Sequence, residues 1–483
     1  MKIHELLDII SGIADDSREV AEGYLFFAIP GTKQNGENYI EHAVKQGAKF
    51  IVLDRKSKVA TRYKGIKYIE VDNPRAYLSK ISSLFYQKQP NNIVAITGTN
   101  GKTSVANFFQ QICALLGYKS ASIGTLGIMT SEKSYKSKDI PSLTSPTPIE
   151  LHKILKELSD NSYTHVAIEA SSHGIYQNRL DNVKFKATGF TNLSQDHLDY
   201  HSTLQTYFQA KLRLFSEILE VGSYAVLNAD IKEFEAIKQV CQECFIKVIE
   251  YGKKAKDLQI ESASFNHWKM KIFDQEYVLQ SPLRGEFQLY NLLCSIGLAV
   301  ACGLPVYKII GILDKITAVK GRLELVAKYN GADVYIDYAH TPDSLKTVLL
   351  TLREICEGNL HVLFGCGGER DIEKRYMMGD IANKYADYII VTDDNPRGED
   401  SAIIRRQIMK ACPNGAEIEG RGKAIEYAIK SLKVDDILVI AGKGHENYQL
   451  IANNKIYFSD FDEVQKLISN TKNNLSQDKG VIP

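Results

Sequence analysis

No stretch of this 483-residue chain reaches the 18 uninterrupted apolar residues that a membrane-spanning helix requires. The opening thirty residues break every apolar run with acids or turn formers and offer no cleavage pattern, so a secretory leader is not expected. Neither sign of charge is in excess. The 59 Lys and Arg stand against 58 Asp and Glu, which removes the global field that would favour nucleic acid or an anionic membrane. Any charged partner must be met locally. The eight cysteines are scattered, and only Cys241 and Cys244 form a CxxC. Without a second pair, that spacing points to reduced thiols of a cytoplasmic protein rather than to disulfides or zinc. Internal repeats and low-complexity segments are missing as well, and only the tail beyond Asn470 has the composition of a disordered segment.

The length allows two to four domains at about 100–200 residues each, and the apolar pattern gives three. Residues 1–89 alternate short apolar runs, Tyr24 to Ile29 and Lys49 to Leu53, with the amphipathic stretch Tyr39 to Gly47, which predicts a small α/β unit. A helix from Pro74 to Tyr86 closes it, and QKQPNN at 87–92 reads as a linker. Residues 90–320 bring the strand IVAITG, a helix from Lys102 to Leu116, and the apolar runs THVAIEA (164–170) and KATGFTNL (186–193) of a parallel sheet. Residues 257–283 alternate instead and predict a hairpin, followed by helices over 287–302 and 305–314. Residues 321–483 repeat strand and helix through VYIDYA, HVLFGCG, YIIVTDD and ILVIAGK. The expected fold is therefore α/β in three domains: a small N-terminal one, a central parallel-sheet ATPase of P-loop type, and a C-terminal Rossmann-like, doubly wound one.

The chemistry gathers at strand ends. A strand delivers Gly98, Thr99, Asn100, Gly101, Lys102 and Thr103, with Ser104 next, and a helix follows. Backbone N–H groups of such a loop can surround a phosphate at a helix N-terminus. Lys102 would neutralise the β/γ oxygens of ATP, and Thr103 would offer a hydroxyl to Mg²⁺. Ile96 stands where the longer GxxxxGK[ST] loop has its first Gly, yet the strand–loop–helix logic is intact. Glu169 ends THVAIE and would project toward the loop as a Mg²⁺ ligand; the bland alternative is a solvated strand terminus. His197 and His201 stand four apart, but Leu198 replaces the Glu of a zinc protease. Lys211 reads by default as a surface lysine. Asp-Asn-Pro-Arg occurs at 72–75 and at 394–397. In the first copy Pro74 opens a helix, so Asn73 is an N-cap and Arg75 a first-turn side chain. The second leaves a strand and meets Gly398, a loop at the carboxyl edge of a sheet where ligands bind.

In order along the chain, TGTNGKTS, EASSHG, FTNLSQDHLDYH, YFQAKLRLF, GRLE, DYAHTPDSL, GCGGERD and AGKGHE resemble the motifs of the Mur ligase family, over nearly the whole length. The likeness is greatest to the branch that adds a diamino acid to UDP-MurNAc-L-Ala-D-Glu in peptidoglycan assembly. The resemblance implies that Lys102 and Thr103 hold ATP phosphate and Mg²⁺, that Glu169 and His197 bind metal, and that Lys211 is carbamylated. A carbamate would turn an ammonium that repels Mg²⁺ into an anion with two oxygen ligands. Asn291, Arg322 and Asp337 match positions for adenine and ribose.

The nucleotide sugar is implied to meet Ser17 of DDSR, the loop Thr32-Lys33-Gln34, and Thr144, Ser145, Ser171, Gln177 and Arg179. Ser145 keeps the hydroxyl of a commoner Thr. In the family the second Asp-Asn-Pro-Arg loop chooses the amino acid. Arg397 can pair bidentately with the far carboxylate of meso-2,6-diaminopimelate, which lysine lacks. Arg375, Asp394, Asn395, Pro396, Gly442 and Glu446 would surround that substrate, with Glu446 on an ammonium. The implied reaction phosphorylates the D-Glu γ-carboxylate and lets an amine attack the acyl phosphate, in a monomeric cytoplasmic enzyme. The alternatives are the same ligase using L-lysine, a folylpolyglutamate-synthetase-like ligase, which the N-terminal DSR and NPR segments disfavour, and a non-catalytic nucleotide sensor, which Lys102, Glu169, His197 and Lys211 disfavour.

Overall fold

The computed structural model describes residues 2–31, 34–59, 61–132, 143–196, 198–452 and 454–477. Three large sheets organise it. The first holds β1 (Ile13–Ala14), β2 (Leu25–Phe27), β3 (Phe50–Asp54) and β4 (Lys67–Val71), parallel and in that order. The second is built from β5 (Asn92–Thr97), β6 (Ser120–Gly124), β7 (Gly127–Thr130), β8 (His165–Glu169), β9 (Phe185–Phe190), β10 (Tyr224–Asn228), β11 (Lys247–Gly252), β12 (Leu258–Ala263), β13 (His267–Ile272) and β14 (Gln275–Gln280). Its spatial order is β14-β13-β12-β11-β10-β9-β5-β8-β6-β7. The third comprises β15 (Glu324–Tyr329), β16 (Ala332–Asp337), β17 (Leu360–Phe364), β18 (Tyr388–Val391), β19 (Ala416–Glu417) and β20 (Ile437–Ala441), ordered β15-β16-β20-β17-β18-β19. A hairpin of β21 (Tyr448–Ile451) and β22 (Asn454–Tyr457) stands beside it.

The α/β class expected from the apolar runs is what the chain adopts. The inner strands of each sheet are apolar on both sides and covered on both faces, whereas β4 and the β12–β14 edge are partly exposed, and side-chain alternation sorts the inner strands between two cores. Val94 and Ile96 enter one core while Ile93 and Ala95 enter the opposite one, and Val439 and Leu438 divide in the same way. The hairpin expected over 257–283 is instead a three-stranded meander. β12 pairs parallel to β11, and β13 and β14 then add antiparallel, so the alternating face of this segment extends the central sheet. The tail expected to be disordered beyond Asn470 is helical through Gln477, as the end of a helix that starts at Asp460.

Two helices fix the phosphate loop. Val105, Phe108, Phe109 and Ile112 of the helix Lys102–Leu115 share a core with Leu289, Leu292, Leu293 and Ile296 of Glu286–Ala301. Each such burial contributes roughly 1.5–3 kcal/mol. Ser295 Oγ donates to Val105 O at 3.1 Å, and a Cβ on Gly101 would strike Asn291 Oδ1, so Asn291 is held against the loop. Among the described residues no helix is long and apolar enough to cross a membrane.

Candidate active site

At the carboxyl edge of β5 the chain turns through Gly98 (φ 140°) and Gly101 (φ 88°), conformations that only glycine adopts without strain, and enters the helix at Lys102. Lys102 Nζ donates back to Gly98 O at 2.9 Å and to Thr99 O at 2.8 Å. Desolvation lowers its proton affinity, and Glu169 and Asp196 oppose that shift. Glu169 is 2 % exposed, so it is no solvated strand end. Its carboxylate accepts from Thr103 Oγ1 at 3.0 Å, Thr125 N at 2.9 Å and Thr125 Oγ1 at 3.0 Å.

Lys211 is not a surface lysine either. It is 1 % exposed, stands 4.3 Å from the centroid of the Tyr207 ring, and donates to Gly98 O at 2.9 Å, the same carbonyl that Lys102 uses. Burial, and then the neighbouring Lys102, push its pKa well below the lysine range, with Asp196 opposing.

These groups line one cavity of about 530 Å³, shared by Thr99 to Ser104, Thr144, Glu169, Ser171, Lys211, Asn291, Arg322 and Asp337. Arg322 reaches across from the start of the third sheet: Nη2 donates to Thr103 Oγ1 at 3.1 Å, and the guanidinium lies 4.2 Å from the centre of the Tyr338 ring. Asp337 accepts from Leu323 N and Ala339 N, both at 2.6 Å, and burial lifts its pKa to about 6. Gly98 shapes the loop from behind and is not on the wall.

A second cluster leads from that cavity toward the first sheet. Ser145 Oγ donates to Glu169 O at 2.8 Å and accepts from Ser171 N at 2.9 Å. Arg179 donates to Ser145 O at 2.9 Å and to Gln177 Oε1 at 2.7 Å, and Gln177 Nε2 donates to Tyr200 Oη at 3.0 Å. Burial and then Arg75 depress Arg179's proton affinity, while Tyr200, Glu150 and Asp15 oppose. Ser17 and Gln34 sit on the loops that leave the carboxyl ends of the neighbouring strands β1 and β2, with Tyr39 Oη donating to Gln34 Oε1 at 3.0 Å. Thr32, Lys33 and His197 lie outside the described residues.

A smaller cavity of about 160 Å³ opens beside β17, β18 and β20 and is lined by Asp394, Asn395, Arg397, Gly442 and Glu446, with Arg370, Asp371, Lys374 and Asp196 at its rim. Arg397 holds φ 53° and donates to Gly368 O at 2.8 Å. Pro396 is not on this wall; its carbonyl accepts from Glu399 N at 3.0 Å. Arg375 does not reach this wall. It is 1 % exposed and spends its guanidinium on Glu399 at 2.9 Å, Gln407 Oε1 at 2.7 Å and Gly367 O at 3.2 Å, because the acidic Glu399 lies directly against it. The first Asp-Asn-Pro-Arg is a helix start, with Asn73 Oδ1 accepting from Ala76 N at 3.0 Å.

Sequence reasoning missed Thr125, Tyr338, His340 and Asp196. The last three lie within motifs it quoted, but their neighbours drew the assignments.

Family models cover most of the chain: the Mur ligase family catalytic domain matches 9–86, the Mur ligase middle domain 96–299, and the Mur ligase glutamate ligase domain 321–444. The chain belongs to the Mur ligase family. A UDP-N-acetylmuramoyl-L-alanyl-D-glutamate–2,6-diaminopimelate ligase of Mesorhizobium japonicum is 42 % identical over 461 residues, 94 % of either chain. A solved ligase of that same name is similar at 29 % identity with a TM-score of 0.67, covering 96 % of this chain and 95 % of its own. A MurF ligase from Thermotoga maritima, solved with ADP, shares the fold at 16 % identity and a TM-score of 0.62, covering 97 % and 99 %. Membership gives the three-domain architecture that the three sheets display.

Proposed function

We propose that the chain is an ATP-dependent, amide-forming ligase that joins meso-2,6-diaminopimelate to the γ-carboxylate of D-Glu in UDP-MurNAc-L-Ala-D-Glu, a cytoplasmic step of peptidoglycan precursor synthesis carried out by a monomer. One observation carries the reading. The two cavities share Asp196, Tyr338, His340 and Arg370, and the larger also touches Thr144 and Ser171. A nucleotide, an acyl acceptor and an amine would therefore meet at one junction. We assign the sugar, the nucleotide and the amino acid to residues 1–89, 90–320 and 321–483.

Phosphoryl transfer to a carboxylate brings anions together, so the chain's work is electrostatic. The loop N–H groups and Lys102 take the phosphates; the ammonium exchanges its two carbonyl acceptors for the β/γ oxygens. Arg322 adds a second cation at Thr103. Thr103 and Glu169 put a hydroxyl and a buried carboxylate side by side, hard oxygen donors that fit Mg²⁺, and Lys211 and His197 would complete the set. When bound, Mg²⁺ would neutralise charge on the phosphates and the acceptor carboxylate. The depressed proton affinity of Lys211 supplies the neutral amine that a carbamate forms from. Asn291 and Asp337 face the nucleoside. Arg179 orients the peptide carboxylate, while Arg397 and Glu446 hold the far carboxylate and ammonium of the amino acid. Attack by its other amine on the acyl phosphate passes through a tetrahedral intermediate and releases phosphate.

Phosphate release with ATP, Mg²⁺ and UDP-MurNAc-L-Ala-D-Glu, comparing meso-diaminopimelate with L-lysine, tests this. Release mainly with meso-diaminopimelate is expected. Preference for lysine would overturn the assignment of Arg397, and no release with either would overturn the ligase reading.

A further inference from the structure

Behind the inner wall of the smaller cavity sits a charge to which the reaction above gives no task. Lys443 is 0 % exposed. Its Nζ donates to Glu446 Oε2 at 3.1 Å and to Asn395 Oδ1 at 3.3 Å, and it stands 3.7 Å from Asp394 Oδ1. A fully buried ammonium persists only with such partners, because desolvation alone would expel it. Asn395 is pinned on both sides, donating to Glu446 Oε2 at 3.1 Å and accepting from Leu450 N at 3.0 Å. Asp394 Oδ1, by contrast, is buried with no hydrogen-bond partner among the described residues, and Asp394 lines the cavity, so an acceptor is left for a ligand's N–H.

At this end two carboxylates, Asp394 and Glu446, stand against two cations, Arg397 and Lys443. The balance exists only because of Lys443. A ligand end carrying both an ammonium and a carboxylate matches a neutral pocket, whereas one carrying an ammonium alone matches a pocket with one excess negative charge.

We propose that Lys443 is a positioning residue that sets this cavity's selectivity for a zwitterionic over a purely cationic amino-acid end, by neutralising one of the two carboxylates from behind. The proposal rests on the reading that this cavity takes the amino acid. The test compares kcat/KM for meso-diaminopimelate and L-lysine, at saturating ATP and UDP-MurNAc-L-Ala-D-Glu, in the wild type, Lys443→Met and Lys443→Arg. Both substrates are read on the same preparation, so a smaller folded fraction cancels from the ratio.

For two unit charges on the order of 8 Å apart at an effective dielectric of about 20, losing one of them changes binding about thirtyfold, and a drop of that order in the ratio is expected for Lys443→Met. Lys443→Arg should hold it within about threefold. The proposal is overturned if Lys443→Met depresses both kcat/KM values in parallel and leaves the ratio unchanged, or if Lys443→Arg shifts it as far as Met does. A wild-type protein without preference for meso-diaminopimelate would instead overturn the reading of the cavity itself.

Discussion

Replacing Gly124 by Ala should displace the Glu169 carboxylate, the proposed metal ligand, while leaving Glu169 itself unmutated. Gly124 ends β6 outside the left-handed region, so the added methyl costs no backbone strain. That methyl would stand 2.5 Å from both Cγ and Cδ of Glu169 and closer still to Oε1. Carbon atoms in ordinary contact are about 3.5 Å apart, so the side chain must retreat by about 1 Å. It cannot do so and keep its bonds to Thr125 N, Thr125 Oγ1 and Thr103 Oγ1, all at 2.9–3.0 Å. A displacement of that size in a reacting constellation costs on the order of 100-fold in rate, and overpacking removes about 1–3 kcal/mol of stability. Phosphate release across a Mg²⁺ series, beside a thermal melt, should show kcat down about 100-fold and a raised Mg²⁺ requirement in a protein still folded at the assay temperature. A Gly124→Ala enzyme with kcat within about threefold of wild type and the same Mg²⁺ requirement would refute the placement of Glu169 at the metal.

Lys102→Ala should lower kcat by several orders of magnitude if, as proposed, Lys102 supplies the loop's cation to the transferring phosphate; a loss below about tenfold in steady-state assays would sink that role. His152 gives a pH dependence. It is 3 % exposed, and burial pushes its pKa from 6.5 down to about 4, so the folded protein keeps it neutral where the unfolded chain binds a proton. Its contribution is full above pH 6.5 and is lost as pH falls toward 4, about 2 kcal/mol at pH 5. His152→Leu should flatten the decline of Tm between pH 6.5 and 4.5, and an unchanged slope would refute the assignment.

What the sequence made legible followed from local rules. The helix Pro74–Tyr86 matched its predicted ends because an Asn cap, a Pro at the first position and an apolar stripe agree there. The central strands were legible because buried parallel strands are continuous apolar runs. β1, β4 and β19 were not: the first and last have two residues each, and β4 is half exposed, so neither length nor hydropathy marks them. Over 257–283 alternation predicts strands but not which neighbour takes the first one, so the pattern suggests a hairpin where the chain builds a meander. Arg375 shows the corresponding limit for side chains. Its position in the chain says nothing of Glu399 twenty-four residues away, and it is that carboxylate that turns the guanidinium from the cavity.

Lys211 shows why burial, more than residue type, decides chemistry here. In sequence it is one of many lysines on an amphipathic helix, and nothing local separates it from a solvated one. The fold buries it beside Lys102, with the Nζ atoms of both lysines on the Gly98 carbonyl. Burial, and then the neighbouring Lys102, disfavour a charge on Lys211, and the proposed mechanism uses that arrangement in two ways. Lys102 can turn its ammonium to an incoming phosphate, and Lys211, as the neutral amine, can add carbon dioxide through a new N–C bond and lose a proton to give the proposed carbamate. On the proposed mechanism both changes replace repulsion between the two side chains by attraction for a triphosphate and a divalent cation.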